Sequence, residues 1–171
     1  MTTDLRRPDP PDYRTVLGRV PTSVAVIATM GADGPAGVSV GSFTSVSLDP
    51  PLVGFFISRT STTWPRIRAG GGFCVSILGS RQEELSRTFA SPGADRFGAC
   101  SWRSSPSGWP MIDGAAAWID CVLHSTAPAG DHDLVLGQVT GLDAPEVGAP
   151  LVFLGGRYGR IDGLGQPGEE W

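Results

Sequence analysis

The 171-residue sequence has no lysine and no asparagine, only two histidines and three cysteines, and no apolar run long enough to cross a membrane. All 13 basic residues are arginines, and they are outnumbered by 17 acidic residues. A nucleic-acid-binding protein gathers a basic face, so this balance argues against nucleic acid as a partner. The N-terminus lacks the charged-then-apolar order of a signal peptide. We therefore expect a cytoplasmic protein with no membrane association.

The cysteines are too few and too scattered for a metal or disulfide framework. Cys74, Cys100 and Cys121 are odd in number, widely spaced, and accompanied by neither a C-x-x-C pair nor clustered histidines. We expect reduced, partly buried thiols and no metal site.

The composition that remains is that of one folded domain. Hydrophobic residues make up 40% of the chain and charged residues 18%, far from the composition of disordered proteins. A chain of this length can build one core but not two domains of ordinary size. The proline-rich residues 1–12 predict a flexible N-terminal arm, residues 13–162 the domain, and residues 163–171 a C-terminal tail.

Two-residue alternation of apolar side chains predicts strands through most of the domain. We expect a strand near residues 24–28, a turn at residues 31–34, and then strands over residues 37–46, 52–57, 73–78, 115–123, 134–139 and 151–154. Residues 127–133 are expected to connect the last long pair. Helices are predicted over residues 15–19, after Ser61 or Thr62 as N-cap, and after a capping box of Ser80 and Glu83. This pattern predicts a closed β-barrel that carries helical inserts.

The most specific stretch is GVSVGSFTSVSLDPPL at residues 37–52, where small hydroxyl side chains alternate with apolar ones before two prolines. Taken alone, this pattern is equally typical of an edge strand with one solvated face. It resembles, however, the signature G-x-T-x-S-S-F-x-S-V-S-x-x-P-P-L of the flavin reductase-like family. Other family motifs occur in order: PTSV at residues 21–24, DRF at 95–97, GDH at 130–132, and LVF with GRY at 151–158. Five ordered matches favour the family over the edge-strand interpretation.

The resemblance covers residues 13–161 and implies a mainly β fold, the flavin-reductase-like split β-barrel with short helical inserts. The implied enzyme is an NAD(P)H:flavin oxidoreductase, usually a homodimer. It would pass hydride from NADH, with NADPH less favoured, to FAD or FMN, and supply reduced flavin to a separate flavin-dependent monooxygenase. The sequence has no G-x-G-x-x-G after a strand, so any nicotinamide must bind without a Rossmann unit.

The resemblance also implies the residues that hold the flavin. Those expected to line it are Thr22, Ser39, Ser42, Phe43, Thr44, Ser45, Val46 and Ser47. Backbone amides of residues 43–47 would face the ring edge, where negative charge develops on reduction. Ser61 and Thr62 would lie at a helix N-terminus suited to phosphate, with Arg96 and Phe97 beside it.

His132 of the GDH motif is the candidate catalytic residue on the nicotinamide side. It can anchor the carboxamide or supply a proton, since an imidazole titrates near neutral pH. The alternative is a turn histidine paired to Asp131. Arg157 and Tyr158 either cover the nicotinamide or pack at the barrel rim. His124 matches no motif and is expected to be solvated.

The sequence departs from the family pattern at two positions, and two alternative functions are also considered. Ser23 stands where the family usually has glycine, and Ser76 where asparagine is common, which bears on the choice of flavin. One alternative function is a non-catalytic flavin- or haem-binding barrel. The more distant one is a serine hydrolase, because residues 37–41 read G-x-S-x-G. A nucleophile elbow, however, needs a helix directly after the serine, and strand-like alternation continues here.

Overall fold

The fold is that of a computed structural model, which describes residues 9–145 and 148–161. Its helices are α1 (Pro10–Leu17), α2 (Trp64–Gly70) and α3 (Glu83–Ala90). Its strands are β1 (Thr22–Ser23), β2 (Ala25–Gly31), β3 (Gly34–Val40), β4 (Thr44–Leu48), β5 (Pro51–Ser58), β6 (Gly72–Ile77), β7 (Trp102–Ser104), β8 (Pro110–Ile112), β9 (Ala117–Ala129), β10 (His132–Asp143), β11 (Leu151–Leu154) and β12 (Arg157–Arg160). None of these helices is long and apolar enough to span a membrane.

The main element is a seven-stranded sheet in the order β3-β2-β6-β9-β10-β5-β4. Its two outer strands, β3 and β4, are consecutive in the chain and are joined only by residues 41–43. The sheet must therefore curl until its two edges meet. β4 pairs with β5 only over Pro51 to Gly54, and beyond that point the free edge of β5 faces β3. Among the described strands β3 and β5 share no ladder. The barrel is therefore split, which confirms the fold class and corrects the expectation of a closed barrel.

The inside of the curled sheet holds the larger hydrophobic core. Inward-facing side chains from β2, β5, β6, β9 and β10 form it, and α2 contributes Trp64 and Ile67. These two residues are three positions apart and so share one face of the helix. Phe55 and Phe73 meet edge to face at 5.4 Å in this core. Helix α2 thus fills the interior and is held at a fixed place beside the split.

The outside of the same sheet is also covered. Phe89 of α3, Ile112 of β8 and Leu151 of β11 pack against the outward-facing residues of β2. The β7–β8 hairpin covers Cys74 and Trp118 on β6 and β9. Because both faces of the central strands are buried, β2 and β6 are nearly continuous apolar runs and do not alternate strictly.

Helix boundaries differ from the sequence prediction at three places. Helix α2 begins at Trp64 with Thr63 as its N-cap, so neither Ser61 nor Thr62 is the N-cap, although Ser61 Oγ accepts hydrogen bonds from the Thr63 and Trp64 N–H groups at 3.3 Å. Helix α1 begins at Pro10, earlier than residue 15, because Asp9 caps it by accepting a hydrogen bond from the Asp12 backbone N–H at 2.8 Å. Residues 1–8 of the expected arm and the expected tail lie outside the described residues. The capping box of Ser80 and Glu83 is not formed, since Gln82 is the N-cap of α3 and makes no capping bond from its side chain.

Two strand predictions are also wrong in extent. The predicted strand over residues 37–46 is divided between β3 and β4, which lie at opposite edges of the sheet. Residues 127–133, expected to be a connection, instead close a long hairpin in which Ala129 is paired with His132. Gly130 has φ 66° and Asp131 a negative φ, as a type II′ turn requires. This turn sets His132 as the first residue of β10.

Candidate active site

A groove runs along the split of the barrel, with a cavity volume of about 470 Å³. We call it the split groove. One rim is β3 and its continuation to Ser42, and the other is the end of β5. Its lining is mixed: Thr22, Ser39, Gly41, Ser42, Ser58, Ser61 and His132 supply polar groups, and Val38, Val40, Phe56 and Ile57 supply apolar ones.

The rims of the split groove expose strand backbone. In an antiparallel ladder, successive residues turn their N–H and C=O groups to opposite sides. The carbonyl of Gly37 accepts a hydrogen bond from Arg96, so it is turned away from β2, and the groups of Ser39 two residues on are turned the same way. On the other rim, the N–H and C=O of Phe56 face Ser42. The groove is therefore bordered by main-chain donors and acceptors.

Ser42 bridges the two rims. Its Oγ accepts a hydrogen bond from the Phe56 N–H at 2.9 Å and donates one to the Phe56 carbonyl at 3.1 Å. A serine at this position thus replaces one step of the missing ladder between the two edges. The sequence predicted Ser42 as a flavin ligand, and the structure adds this bridging role.

His132 lies at the β5 side of the groove, directly across the ladder from Ser58. Its Nδ1 is 2.7 Å from Asp131 Oδ1, and 43% of its side chain is exposed. The hydrogen bond with His132 lowers the pKa of Asp131, which keeps this carboxylate charged. An ionised carboxylate only accepts hydrogen bonds, so Nδ1 carries the proton and Nε2 is the nitrogen available to a ligand. His132 is therefore paired with Asp131, as the turn alternative predicted, and it also lines the split groove.

Asp133, the residue after His132, fixes the start of β10 through hydrogen bonds to its carboxylate. Its two carboxylate oxygens accept hydrogen bonds from Arg59 Nε at 3.0 Å and from Trp64 Nε1 at 3.1 Å. The hydrogen bond from Arg59 lowers the pKa of Asp133, and the Trp64 bond adds to this effect. These contacts tie the start of β10 to β5 and α2. Neither Asp133 nor Trp64 belongs to a motif that sequence reasoning had singled out.

A second cavity of about 380 Å³ adjoins the split groove along β3, and we call it the loop pocket. Its walls are β3, the start of α2, and the loop before β7; they include Gly37, Thr62, Thr63, Arg66, Asp95, Arg96 and Phe97. Ser61 lines the split groove while Thr62 and Thr63 line the loop pocket. The linings of the two cavities therefore include residues that are adjacent in sequence.

Arg96 organises the loop pocket. Its Nη1 donates to the Gly37 carbonyl at 2.6 Å and to Thr63 Oγ1 at 2.8 Å, and its Nη2 donates to the Ser91 carbonyl at 3.0 Å. Its Nε is buried without a hydrogen-bond partner among the described residues. Desolvation lowers the pKa of Arg96, but an arginine side chain remains charged at any ordinary pH. One donor of this fixed cation thus has no partner among the described residues.

A chain of hydroxyl groups leads away from the split groove. Ser39 Oγ is 3.1 Å from Ser86 Oγ, which is 2.9 Å from the Tyr158 hydroxyl. Ser86 is fully buried on α3, and Arg87 lies 4.9 Å from the centre of the Tyr158 ring. Tyr158 is therefore connected to the rim of the groove through Ser86, a residue that sequence reasoning missed.

The other residues implied by the resemblance lie elsewhere. Phe43 packs against the inner core, and Arg157 is exposed on β12. Thr44, Ser45, Val46 and Ser47 lie on the outer strand β4 and line neither cavity. A register shift between Ser45 and Ser47 leaves Val46 48% exposed. Their contact with flavin remains a prediction.

Three smaller expectations can be checked on the same structure. His124 is exposed on β9, as expected. Ser76 is buried, and its Oγ accepts a hydrogen bond from the Ile112 N–H. The effect of this departure from the family pattern on flavin choice stays a prediction. Ser39 lies within β3 and not on a strand-to-helix turn, which argues against the serine hydrolase. Across residues 9–145 and 148–161, no group of three or more metal-ligating side chains comes together.

A family model described as "Flavin reductase like domain" matches residues 17–162. The chain belongs to the flavin reductase-like family. A flavin reductase of Pseudomonas putida is 47% identical over 152 residues, covering 88% of this chain and 89% of the relative. The flavin-dependent monooxygenase reductase subunit HsaB of Mycobacterium tuberculosis is 41% identical over 156 residues, covering 90% and 83%.

A solved structure of the NADH:FAD oxidoreductase SgcE6 of Streptomyces globisporus C-1027, in complex with NAD and FAD fragments, superposes with a TM-score of 0.86. It is 35% identical, and the match covers 98% of this chain and 100% of that one. The predicted family, the split-barrel fold and the class of flavin oxidoreductase are thereby confirmed. In this flavin reductase-like domain, the split groove and the loop pocket lie next to each other along the edge of β3.

Proposed function

We propose that this protein is an NADH-dependent flavin reductase whose split groove holds the flavin ring and whose loop pocket holds the flavin phosphate. The observation that carries the proposal is the adjacency of the two cavities. A flavin needs a slot with polar edges for its ring and a cationic site for its phosphate, within one ribityl chain of each other. The split groove and the loop pocket offer this arrangement, with Ser61 and Thr62 at their junction.

The residues present fit a flavin phosphate. Arg96 has a buried Nε without a partner among the described residues, and Arg66 lines the same pocket. Two guanidinium groups and the exposed Thr62 hydroxyl form a set of donors that anions prefer. Asp95, the one carboxylate among the described residues that line the pocket, is held by accepting a hydrogen bond from the Gly98 N–H at 3.0 Å. FAD and FMN share the phosphate that this pocket would bind.

The protein's contribution to the reaction is positioning. The bound flavin supplies the ring that accepts a hydride, and NADH supplies the hydride. The main-chain groups of Ser39 and the polar side chains of the split groove hold one edge of the ring, and Val38, Val40 and Ile57 exclude water from its face. Holding two reactants in contact in this way is worth orders of magnitude in rate.

His132 would act on the nicotinamide side. With Nδ1 held by Asp131, its Nε2 can donate to or accept from a group bound over the split groove. The exposure of the imidazole suits a ligand that arrives from solvent and leaves after each turnover. We propose that it anchors the nicotinamide carboxamide.

A steady-state assay that crosses FAD and FMN with NADH and NADPH tests this function. We expect NADH with at least one of the flavins to be the preferred pair. His132→Ala should raise the KM for NADH tenfold or more and leave the Kd for flavin within about twofold. His124→Ala, which changes the other histidine, should match the wild type. Tight flavin binding with no NADH oxidation would instead favour the non-catalytic flavin-binding alternative.

We further propose that the reduced flavin leaves the protein for a separate monooxygenase. The relative from Mycobacterium tuberculosis is named as such a reductase subunit, and the half-exposed rim of the split groove leaves an exit to solvent. Reduction of cytochrome c in the presence of free flavin, abolished when flavin is omitted, would show release. Failure of reduced flavin to leave within a turnover would contradict this assignment.

A cytoplasmic location remains a prediction.

A twofold homodimer also remains a prediction. Exposed apolar side chains on α1 support the dimer, with Val16 60% and Leu17 47% exposed. The Gly155 N–H donates to the Gly18 carbonyl, which sets the exposed Leu154 near the end of the same helix. Leu17→Glu should lower the mass measured by light scattering if this face is the interface.

A further inference from the structure

A third cavity lies on the outer face of the sheet, under the β7–β8 hairpin and remote from both cavities of the candidate active site. We call it the hairpin pocket. Its volume is about 240 Å³, and its walls are mostly apolar, with Cys74, Met111, Trp118 and Leu142 among them. A single water occupies about 30 Å³ of liquid volume, so this space is large enough for a small organic molecule.

The hairpin pocket contains a buried acid that the protein leaves partly unsatisfied. Asp120 is 6% exposed and lines the pocket. Its Oδ2 accepts a hydrogen bond from the Ser107 N–H at 3.2 Å, whereas Oδ1 is buried without a partner among the described residues. Leaving a buried carboxylate oxygen unsatisfied costs free energy, so a ligand that donates to it would be favoured.

The basic residue of the covering hairpin is already engaged. Arg103 forms an ion pair with Asp113, and its guanidinium stacks over the Trp118 ring at 4.8 Å from the ring centre. A second carboxylate, Asp143, also lines the pocket. The pocket therefore has two acidic groups and lacks a cation among its described lining residues.

The backbone provides the space. Gly141 faces Asp120 across the β9–β10 ladder, at a register shift that follows Val139. A Cβ at Gly141 would lie 3.8 Å from the Cβ of Asp120, an ordinary contact, so a larger side chain here would extend into the pocket and not into backbone. Gly141 thus leaves space in the pocket that a larger side chain would occupy.

We propose that the hairpin pocket is a second small-molecule site, which binds a primary ammonium group carried on a single aromatic or aliphatic body. The ammonium would donate to Asp120 Oδ1, and the apolar body would pack on Met111, Trp118 and Leu142. This site is separate from flavin reduction and does not depend on the function proposed above.

The test uses 2-phenylethylammonium as probe and isothermal titration calorimetry on the full chain. We expect saturable binding with one site per chain. The indole N–H resonance of Trp118, identified by comparison with Trp118→Phe, should shift with the same Kd. The anion 3-phenylpropanoate has a similar body and the opposite charge, and should not bind.

Asp120→Asn keeps an acceptor for the Ser107 N–H and removes the charge. We expect it to weaken probe binding at least tenfold and to leave the melting temperature equal or higher, because a buried unpaired charge is lost. Glu84→Gln makes the same chemical change at an exposed position of α3 and should bind like the wild type. Gly141→Val fills the pocket while keeping Asp120, and should also abolish binding.

Absence of binding to the wild type would overturn the proposal, as would equal binding by Asp120→Asn or by the anion. A lower melting temperature with unchanged binding would assign Asp120 to holding Ser107 alone, and would also overturn it.

Discussion

Replacement of Ser42 by alanine tests whether the two edges of the barrel are held together at this point. Ser42 Oγ makes both hydrogen bonds that join the rims, one from the Phe56 N–H and one to its carbonyl. Ser42→Ala removes both while adding nothing that could clash. Ser45→Ala is the matched control, because Ser45 belongs to the same serine-rich stretch and is exposed on β4.

The expected magnitude follows from the two bonds. Each contributes about 0.5–1.5 kcal/mol net. Because Phe56 is 42% exposed, water can replace part of what is lost. We therefore expect Ser42→Ala to lower the free energy of unfolding by about 1–2 kcal/mol, and the melting temperature by roughly 2–8 °C for a chain of this size. Ser45→Ala should change the free energy of unfolding by less than about 0.5 kcal/mol.

Urea unfolding and flavin titration of both variants separate the two roles that Ser42 can have. If the bridge is its main role, Ser42→Ala loses stability and flavin affinity together, since the groove loses its shape. An unfolding free energy equal to that of Ser45→Ala would refute the bridging argument. A loss of flavin affinity at unchanged stability would show that the hydroxyl acts on the ligand and not on the rims.

Three further predictions concern stability. A Cβ at Gly37 would lie 2.8 Å from Phe89 Cε1, so Gly37→Ala should cost about 1–3 kcal/mol in thermal unfolding, whereas Gly31→Ala in the same hairpin has room and should be nearly neutral. Arg59 lowers the pKa of Asp133, so this carboxylate stabilises the fold above its unfolded pKa of about 3.9, and the stabilisation is lost as pH falls through the folded pKa. Asp133→Asn should therefore flatten the loss of stability measured below about pH 4. Burial raises the pKa of Cys74 from 9.0 to about 12, so its contribution is complete below pH 9 and is lost as pH rises toward 12. Cys74→Ala should remove a loss of about 1 kcal/mol between pH 8 and pH 10 in urea unfolding, and an unchanged alkaline profile would contradict this.

The family motifs predicted the fold better than periodicity did. Alternation predicts a strand but not which edge of a sheet it joins, so residues 37–46 looked like one strand although residues 41–43 carry the chain to the opposite edge. Residues 127–133 were expected to be a connection, yet Pro128 lies in β9 where this strand pairs with β10 alone, because β6 pairs with β9 only as far as Val122. Proline is tolerated at such an edge.

The site was predicted in part for a similar reason. Motifs indicated Ser39, Ser42, Ser61 and His132, and these line one groove. Ser86 forms its hydrogen bond with Ser39, which is 47 residues away in sequence. Asp133 accepts a hydrogen bond from Trp64, which is 69 residues away. No local pattern marks such pairs, because only the packing of α3 and α2 against the sheet brings them together.

The three-residue link between β3 and β4 ties the spacing of the groove's rims to the curvature of the whole sheet. A bulkier ligand cannot be admitted by spreading the rims, because that would strain every strand between them. We therefore expect relatives that accept different ligands to keep this link at three residues. Their adaptation should appear instead as larger or smaller side chains at Thr22 and Phe56, which line the groove.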